Sequence, residues 1–323
     1  MVKLFFGNRS FALIFLPFII GLFGVLNYWF HYHSPEQQIL LGLWGVAEGQ
    51  LHWLYQTGAL ALIFINSILI NNLFNRHDFM EKNNYLASLL YVVIMSFFHS
   101  FYFISGASLA QTLLILMFVQ VFKMNQNEDG RRAVFNASIF FGLAASLYPV
   151  LLIGTPFLFW MIWAVRPFVL REAILAITGF ILPLTYVGIY AGLFGIKFVR
   201  EQLSSSADEG HYYDFVVLSF LVSLLILFSL SDVSSKIGAS TIRLKKLFRI
   251  LLLFIGLSLG IALVEVFVFA KLEGIGVLGF PLMFILPYAF GVKKPRVFAK
   301  IIYYFIFFFA VSKFFISFDL IGL

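Results

Sequence analysis

Apolar runs of about 20 residues, separated by short polar breaks, recur from Phe11 to the end of the chain, and each can cross a hydrocarbon layer roughly 30 Å thick as a helix. Runs such as Phe215 to Leu230 show no period of two, which excludes the alternating strands of a membrane β-barrel. The pattern predicts spans at 10–30, 54–73, 85–104, 107–122, 133–148, 149–165, 173–195, 213–231, 247–270, 275–290 and 299–316. The expected fold class is all-α, a polytopic integral membrane protein of about 11 transmembrane helices. No long polar linker divides the chain, so 1–323 is expected to be a single transmembrane domain.

Two places strain the pattern. Residues 133–165 are almost continuously apolar, interrupted only at Tyr148-Pro149, and fit either two short spans meeting at a tight turn or one bent span with a re-entrant piece. Arg131 and Arg132 precede this stretch and Arg166 and Arg171 follow it, which places both ends on one side and requires an even number of crossings. Lys3 and Arg9 ahead of Phe11 to Phe30 have the layout of a signal peptide. That apolar core is longer than a secretory one and runs into Tyr28, Trp29 and Phe30 without a small-residue cleavage site, so an uncleaved first span is expected.

Composition supports lipid as the solvent: 62% of the 323 residues are hydrophobic and 11% charged, against about 25% charged in soluble domains. The absence of cysteine removes disulfides, thiolate metal sites and cysteine nucleophiles together. A net charge of +7 would suit nucleic acid, but the basic residues sit in short clusters between apolar runs rather than along one groove, so no nucleic-acid partner is expected. With the N-terminus inside, Lys3, Arg9, Arg76, Lys82, Lys123, Arg131, Arg132, Arg166, Arg171, Lys236, Arg243, Lys245, Lys246, Arg249, Lys293, Lys294, Arg296 and Lys300 all fall on the cytoplasmic side. Lys197, Arg200, Lys271 and Lys313 fall on the other. This asymmetry predicts an N-in, C-out chain.

The outer loops are then 31–53 and 196–212. The first has no Lys or Arg and carries His31, His33, Glu36, Glu48 and His52. Its Ile39, Leu40, Leu43, Trp44, Ala47 and Leu51 recur at three- and four-residue steps, which predicts a short interfacial helix after span one, with Ser34-Pro35-Glu36 as its start. The second loop has a Ser204 to Ser206 centre flanked by Lys197, Arg200, Glu201, Asp208, Glu209 and His211, continuing to Asp214. Carboxylates beside imidazoles can hold a divalent cation, and a carboxylate can act as general base toward a hydroxyl, which makes Glu36 and Glu48 catalytic candidates. His52, His211, Lys197 and Arg200 are the substrate-binding candidates, the two cations pairing with a lipid-linked phosphate. The plainer alternative is that loops hold these residues because the spans cannot. No HExxH, GxSxG or Walker sequence is present.

At membrane depth Glu265 is the one acidic residue well inside a predicted span and joins the substrate-binding candidates. Lys313, near the outer end of the last span, is expected to snorkel. Asn66, Gln111, Thr112, Asn136 and Ser138 are expected to bridge helices by hydrogen bonds. The run Gly274-Ile275-Gly276-Val277-Leu278-Gly279-Phe280-Pro281 is the best candidate for a broken helix.

The Phe-rich spans, the outer loop after span one, and the segments FGLAASLYPVLLIGTPFLFWMIWAVRPF and REAILAITGFILPLTYVGIYAGLF resemble the hydrophobic core of GT-C type integral membrane glycosyltransferases over residues 1–200. They also resemble a multi-pass inner-membrane family of Bacteroidota. The GT-C resemblance implies a polyprenyl-phosphate-linked sugar as substrate and an acidic residue in the first outer loop. The family's adjacent acidic pair is absent, which leaves Glu36 and Glu48 as the acids there.

The expected function is a transferase acting on a polyprenyl-phosphate-linked sugar or related lipid at the noncytoplasmic face, because the polar residues concentrate in outer loops. The alternatives are a transporter or flippase with Glu265 and the proline-broken spans along its pathway, and a non-catalytic subunit of an envelope assembly. Expected partners are membrane lipids, a lipid-linked substrate and a membrane-protein partner.

Overall fold

A computed structural model of the chain describes residues 1–7, 11–31, 38–48, 52–124, 130–165, 169–194, 212–269, 273–291 and 296–315. Its helices are α1 (Val2–Phe5), α2 (Phe11–Phe30), α3 (His52–Arg76), α4 (Leu86–Met95), α5 (Gly106–Met124), α6 (Arg131–Leu147), α7 (Thr155–Val165), α8 (Leu170–Phe194), α9 (Tyr212–Ala239), α10 (Ile242–Val264), α11 (Glu273–Leu278) and α12 (Val297–Ser312). Among the described residues six helices, α2, α3, α5, α8, α9 and α10, are long and apolar enough to cross a membrane. The protein is a multi-pass helical membrane protein.

The burial pattern shows why lipid rather than water surrounds the long helices. In α8 the buried stripe is Glu172, Ala176, Gly179, Pro183, Val187 and Ala191, whereas Ile177, Ile181, Leu182, Ile189 and Leu193 point outward and are exposed. Small residues inside and large apolar ones outside is the reverse of a water-facing helix. The small residues let backbones approach: a Cβ on Gly179 would lie 2.8 Å from the Phe135 carbonyl oxygen, and one on Gly142 would lie 2.6 Å from that of Phe180. Either substitution would push α6 and α8 apart.

Two short segments are buried among the other helices. All ten residues of α4 are buried, and at about 15 Å it reaches only half way across a hydrocarbon core. The predicted span 85–104 is thus a half-length helix followed by a 3₁₀ turn at His99–Phe101. The broken helix expected at 274–281 is present: α11 stops at Leu278, and 3₁₀ turns follow at Phe280–Phe284 and Leu286–Phe290, with Pro281 and Pro287 in their first turns. Proline lacks the amide that a continuing helix needs. These turns are almost wholly buried and pack on α4.

Residues 131–165 run up α6, reverse at Tyr148 and a 3₁₀ turn at Pro149–Gly154, and return along α7. Gly154 lies against Leu257 and Ile261 near one end of α10, whereas the Val165 carbonyl accepts from Lys246 Nζ (3.0 Å) near the other. The stretch is thus two helical limbs joined by a tight turn at 148–154.

The segment after α2 departs from expectation. Residues 38–48 form an antiparallel β-hairpin, β1 (Gln38–Leu40) with β2 (Val46–Glu48), pairing Gln38 with Glu48 and Leu40 with Val46, and not an interfacial helix. Gly42 and Gly45 take positive φ values of 60° and 95°, a conformation that breaks a helix and suits a tight loop. The loop also docks: Gly42 abuts the backbone of Ser146 and Leu147, and Trp44 Nε1 donates to Ser146 Oγ at 3.0 Å. These contacts define a hairpin end of the bundle, shared by the C-terminal ends of α2, α4, α6, α8, α10 and α12. Among the described residues Lys313 is the one Lys or Arg at that end; the others lie toward the opposite, basic end.

Candidate functional site

Glu265 stands where α10 loosens into a π-helical turn, Glu265–Phe269, and is only 1% exposed. Such turns widen the helix by one residue and are frequent at functional sites. The Tyr148 hydroxyl, from the reversal between α6 and α7, donates to Glu265 Oε1. The other carboxylate oxygen faces Gly274 in the broken segment so closely that a Cβ there would collide with it. Three separate parts of the chain therefore converge on one carboxylate: a helix reversal, a π turn and the start of a broken helix.

From Gly274 the polar character continues into the bundle. The Gly276 carbonyl accepts from Gln111 Nε2 at 2.9 Å, Gln111 Oε1 accepts from the Tyr91 hydroxyl at 2.7 Å, and Asn66 Nδ2 donates to the same hydroxyl at 3.2 Å. The string joins α3, α4, α5 and α11, so Asn66 and Gln111 do bridge helices. Asn66 Oδ1 is buried and has no hydrogen-bond partner among the described residues. A buried acceptor left unpaired is destabilising, so the strip retains unused polar capacity.

A second charged group lies at the same end. Asp214, in the first turn of α9, is 3% exposed and interacts electrostatically with Lys313, which is 1% exposed at the end of α12. Lys313 Nζ donates to the Ser96 carbonyl and sits 4.4 Å from the Phe97 ring centre. Lys313 does not snorkel: it turns inward, where the Ser96 carbonyl at the end of α4 accepts from it and Asp214 interacts with it electrostatically. Asp214 lies in the first turn of α9 with its side chain buried, whereas Tyr213, Val216 and Val217 around it are exposed.

Of the residues expected from sequence, Glu265 is placed at the centre of this region. Glu48 ends β2 and His52 begins α3, both at the hairpin end, though the description of these two stops at the backbone. Glu36, Lys197, Arg200 and His211 lie outside the described residues. Among the described residues no group of three or more His, Asp or Glu is arranged to hold a metal ion. Sequence reasoning missed Tyr148 as a carboxylate partner, Gly274 as its neighbour, and the pairing of Asp214 with Lys313. The one available signal was small: Tyr148 marks the reversal of an otherwise apolar stretch, and Gly274 opens the glycine run.

At the basic end, His77 shows the opposite environment. Burial, then the positive charges of Arg243 and Arg76, push its imidazole down to about 4, with Asp78 opposing them. Arg243 Nη2 lies 3.5 Å from His77 Nδ1, so this nitrogen is the acceptor and the neutral ring carries its proton on Nε2.

No protein-family model matches the chain, and no curated protein or solved structure matches it either.

Proposed function

We propose that the protein is a transporter or flippase of a bacterial inner membrane, moving a small solute or a lipid-linked compound along a pathway that includes Glu265. The observation that carries this reading is the convergence of a buried carboxylate, a π turn and a glycine-broken helix at one place. Discontinuous helices free backbone groups inside a bundle, and transporters use such breaks as substrate and ion sites. An ionisable group at membrane depth is a functional candidate by default because it is otherwise destabilising. In this proposal the chain has eleven membrane segments, of which α4 is half-length and the one after α10 is broken, and runs N-in, C-out, supported by the gathering of the described basic residues at one end. The hairpin end is then noncytoplasmic.

Proteoliposomes provide the test, with two probes: transfer of a fluorescent polyprenyl phosphate between leaflets, and uptake of labelled small solutes. Glu265→Gln is expected to lower the rate at least about tenfold, equivalent to about 1.4 kcal/mol in the barrier, while leaving the folded yield intact. Unchanged transport removes Glu265 from the mechanism.

A second reading has its own observation. The hairpin seats Gly42 and Trp44 against Ser146 and Leu147, next to Tyr148, which brings the first outer loop to the Glu265 end. This favours a GT-C-like transferase with Glu48 or Glu36 as base or ligand to a divalent cation, and Lys197 or Arg200 on a lipid-linked phosphate. Glu48→Ala is then expected to abolish sugar transfer to a defined acceptor without lowering the folded yield. Retained transfer excludes that role. The third possibility, a non-catalytic subunit, predicts a stoichiometric membrane partner on purification.

A further inference from the structure

The end of α4 has the chemistry of a cation site. A helix C-terminus presents carbonyl oxygens without helical partners and carries partial negative charge. Here that terminus is deep in the bundle, since Ser96 is fully buried, so water does not satisfy it. The Ser96 carbonyl accepts both from the Tyr102 hydroxyl (2.7 Å) and from Lys313 Nζ. The ammonium also lies 4.4 Å from the Phe97 ring centre and 5.8 Å from that of Tyr102. Asp214 is the acidic group that interacts electrostatically with the ammonium, and its helix is held against the turn after α4 by Phe98 and Phe215, whose ring centres are 5.1 Å apart. A carbonyl at the end of a half-helix, a buried carboxylate and aromatic faces are the groups that bind a dehydrated monovalent cation.

We propose that Ser96, Asp214, Phe97 and Tyr102 form a monovalent-cation site which the chain fills with its own Lys313 ammonium. The tethered ammonium occupies the place a free sodium, potassium or alkylammonium ion takes when the lysine is absent. The site joins α4, α9 and α12, so its occupant holds three elements together at the hairpin end. It does not depend on the role given to Glu265. A simple buried ion pair also loses stability when Lys313 is removed, but it has no preference for which salt is present.

The test is thermal unfolding of the purified full-length chain in detergent, in the chlorides of sodium, potassium, methylammonium and choline at equal ionic strength. Lys313→Met is expected to unfold at a lower temperature than the native chain in choline, and at least one of the three small cations is expected to raise its midpoint by about 2–4 °C, saturably. The native chain is expected to show no such preference, and Asp214→Asn combined with Lys313→Met is expected to lose it. Lys313→Gln, which retains a donor for the Ser96 carbonyl, is the second variant. Equal midpoints in choline and in all three small cations, for whichever variant folds, overturn the proposal. Failure of both Lys313 variants to fold in any of these salts overturns it as well, because a free cation then does not replace the ammonium.

Discussion

At the basic end of the bundle most charges lie on the outside: Arg76, Lys82, Arg131, Arg132, Arg171, Arg243 and Lys245 are all exposed, with Glu172 the buried exception among the described carboxylates there. The Arg296 guanidinium, which pairs with Asp232 at 2.8 Å, is 44% exposed. At the hairpin end Asp214, Glu265 and Lys313 are each at most 3% exposed. The same residue types thus do different work. Exposed charges at the basic end carry orientation and are individually replaceable, since water solvates each one with or without a partner. Buried charges at the hairpin end are tolerated only through specific partners, which ties each to the geometry around it. Where chains bury charge near broken helices, function is the first place to look.

The sharpest way to break this contrast is Asp214→Leu, which strands the Lys313 ammonium among aromatic rings. A loss of about 3–5 kcal/mol is expected, read as a collapse of folded yield or of the midpoint in denaturant. A loss comparable to that of an exposed charge would remove the distinction between the ends. Next in size is Gly42→Val. It combines a β-branched residue at φ 60° with a collision against the Leu147 backbone, and about 1–3 kcal/mol of local strain is expected. Faster proteolysis within 38–48, with the bundle otherwise intact, would show the hairpin releasing from Ser146 and Leu147.

At the basic end, His77 gives a pH-dependent check. Its imidazole is held down to about 4 from 6.5, so the fold prefers the neutral ring while the unfolded chain takes up a proton. This contribution is complete above about pH 6.5 and is lost as pH falls toward 4. His77→Gln is therefore expected to flatten the decline in unfolding temperature across that window; an unchanged slope would show that other groups set it. The smallest effect belongs to Arg296→Ala. Its exposed pair with Asp232 is expected to contribute about 0–1 kcal/mol and to weaken further in salt, which a denaturant titration at two ionic strengths measures.

Much of the fold was legible because lipid imposes a simple rule: long apolar runs must satisfy their own backbones as helices. The boundaries of α2, α5 and α12 lie close to the predicted spans for that reason. The half-length α4 was not legible, since a buried run and a lipid-facing run of the same composition look alike in sequence. The hairpin was misread because the apolar residues from Ile39 to Leu51 have helical spacing. Gly42 and Gly45 were the contrary signal, each unfavourable by about 1 kcal/mol in a helix interior.

Glu265 could be singled out because a lone carboxylate in an apolar run is conspicuous by itself. Its partners could not. Tyr148 lies 117 residues away, and Lys313 lies 217 residues from the Ser96 carbonyl it holds. The sequence by itself determined that this is a helical membrane protein, where its longest apolar segments lie, and how its basic residues are distributed, because hydropathy and charge act residue by residue against lipid and water. Only the tertiary structure decided which charges are buried together, which helices stop half way and what the first loop docks against, because those depend on close approaches between distant segments that no local pattern encodes.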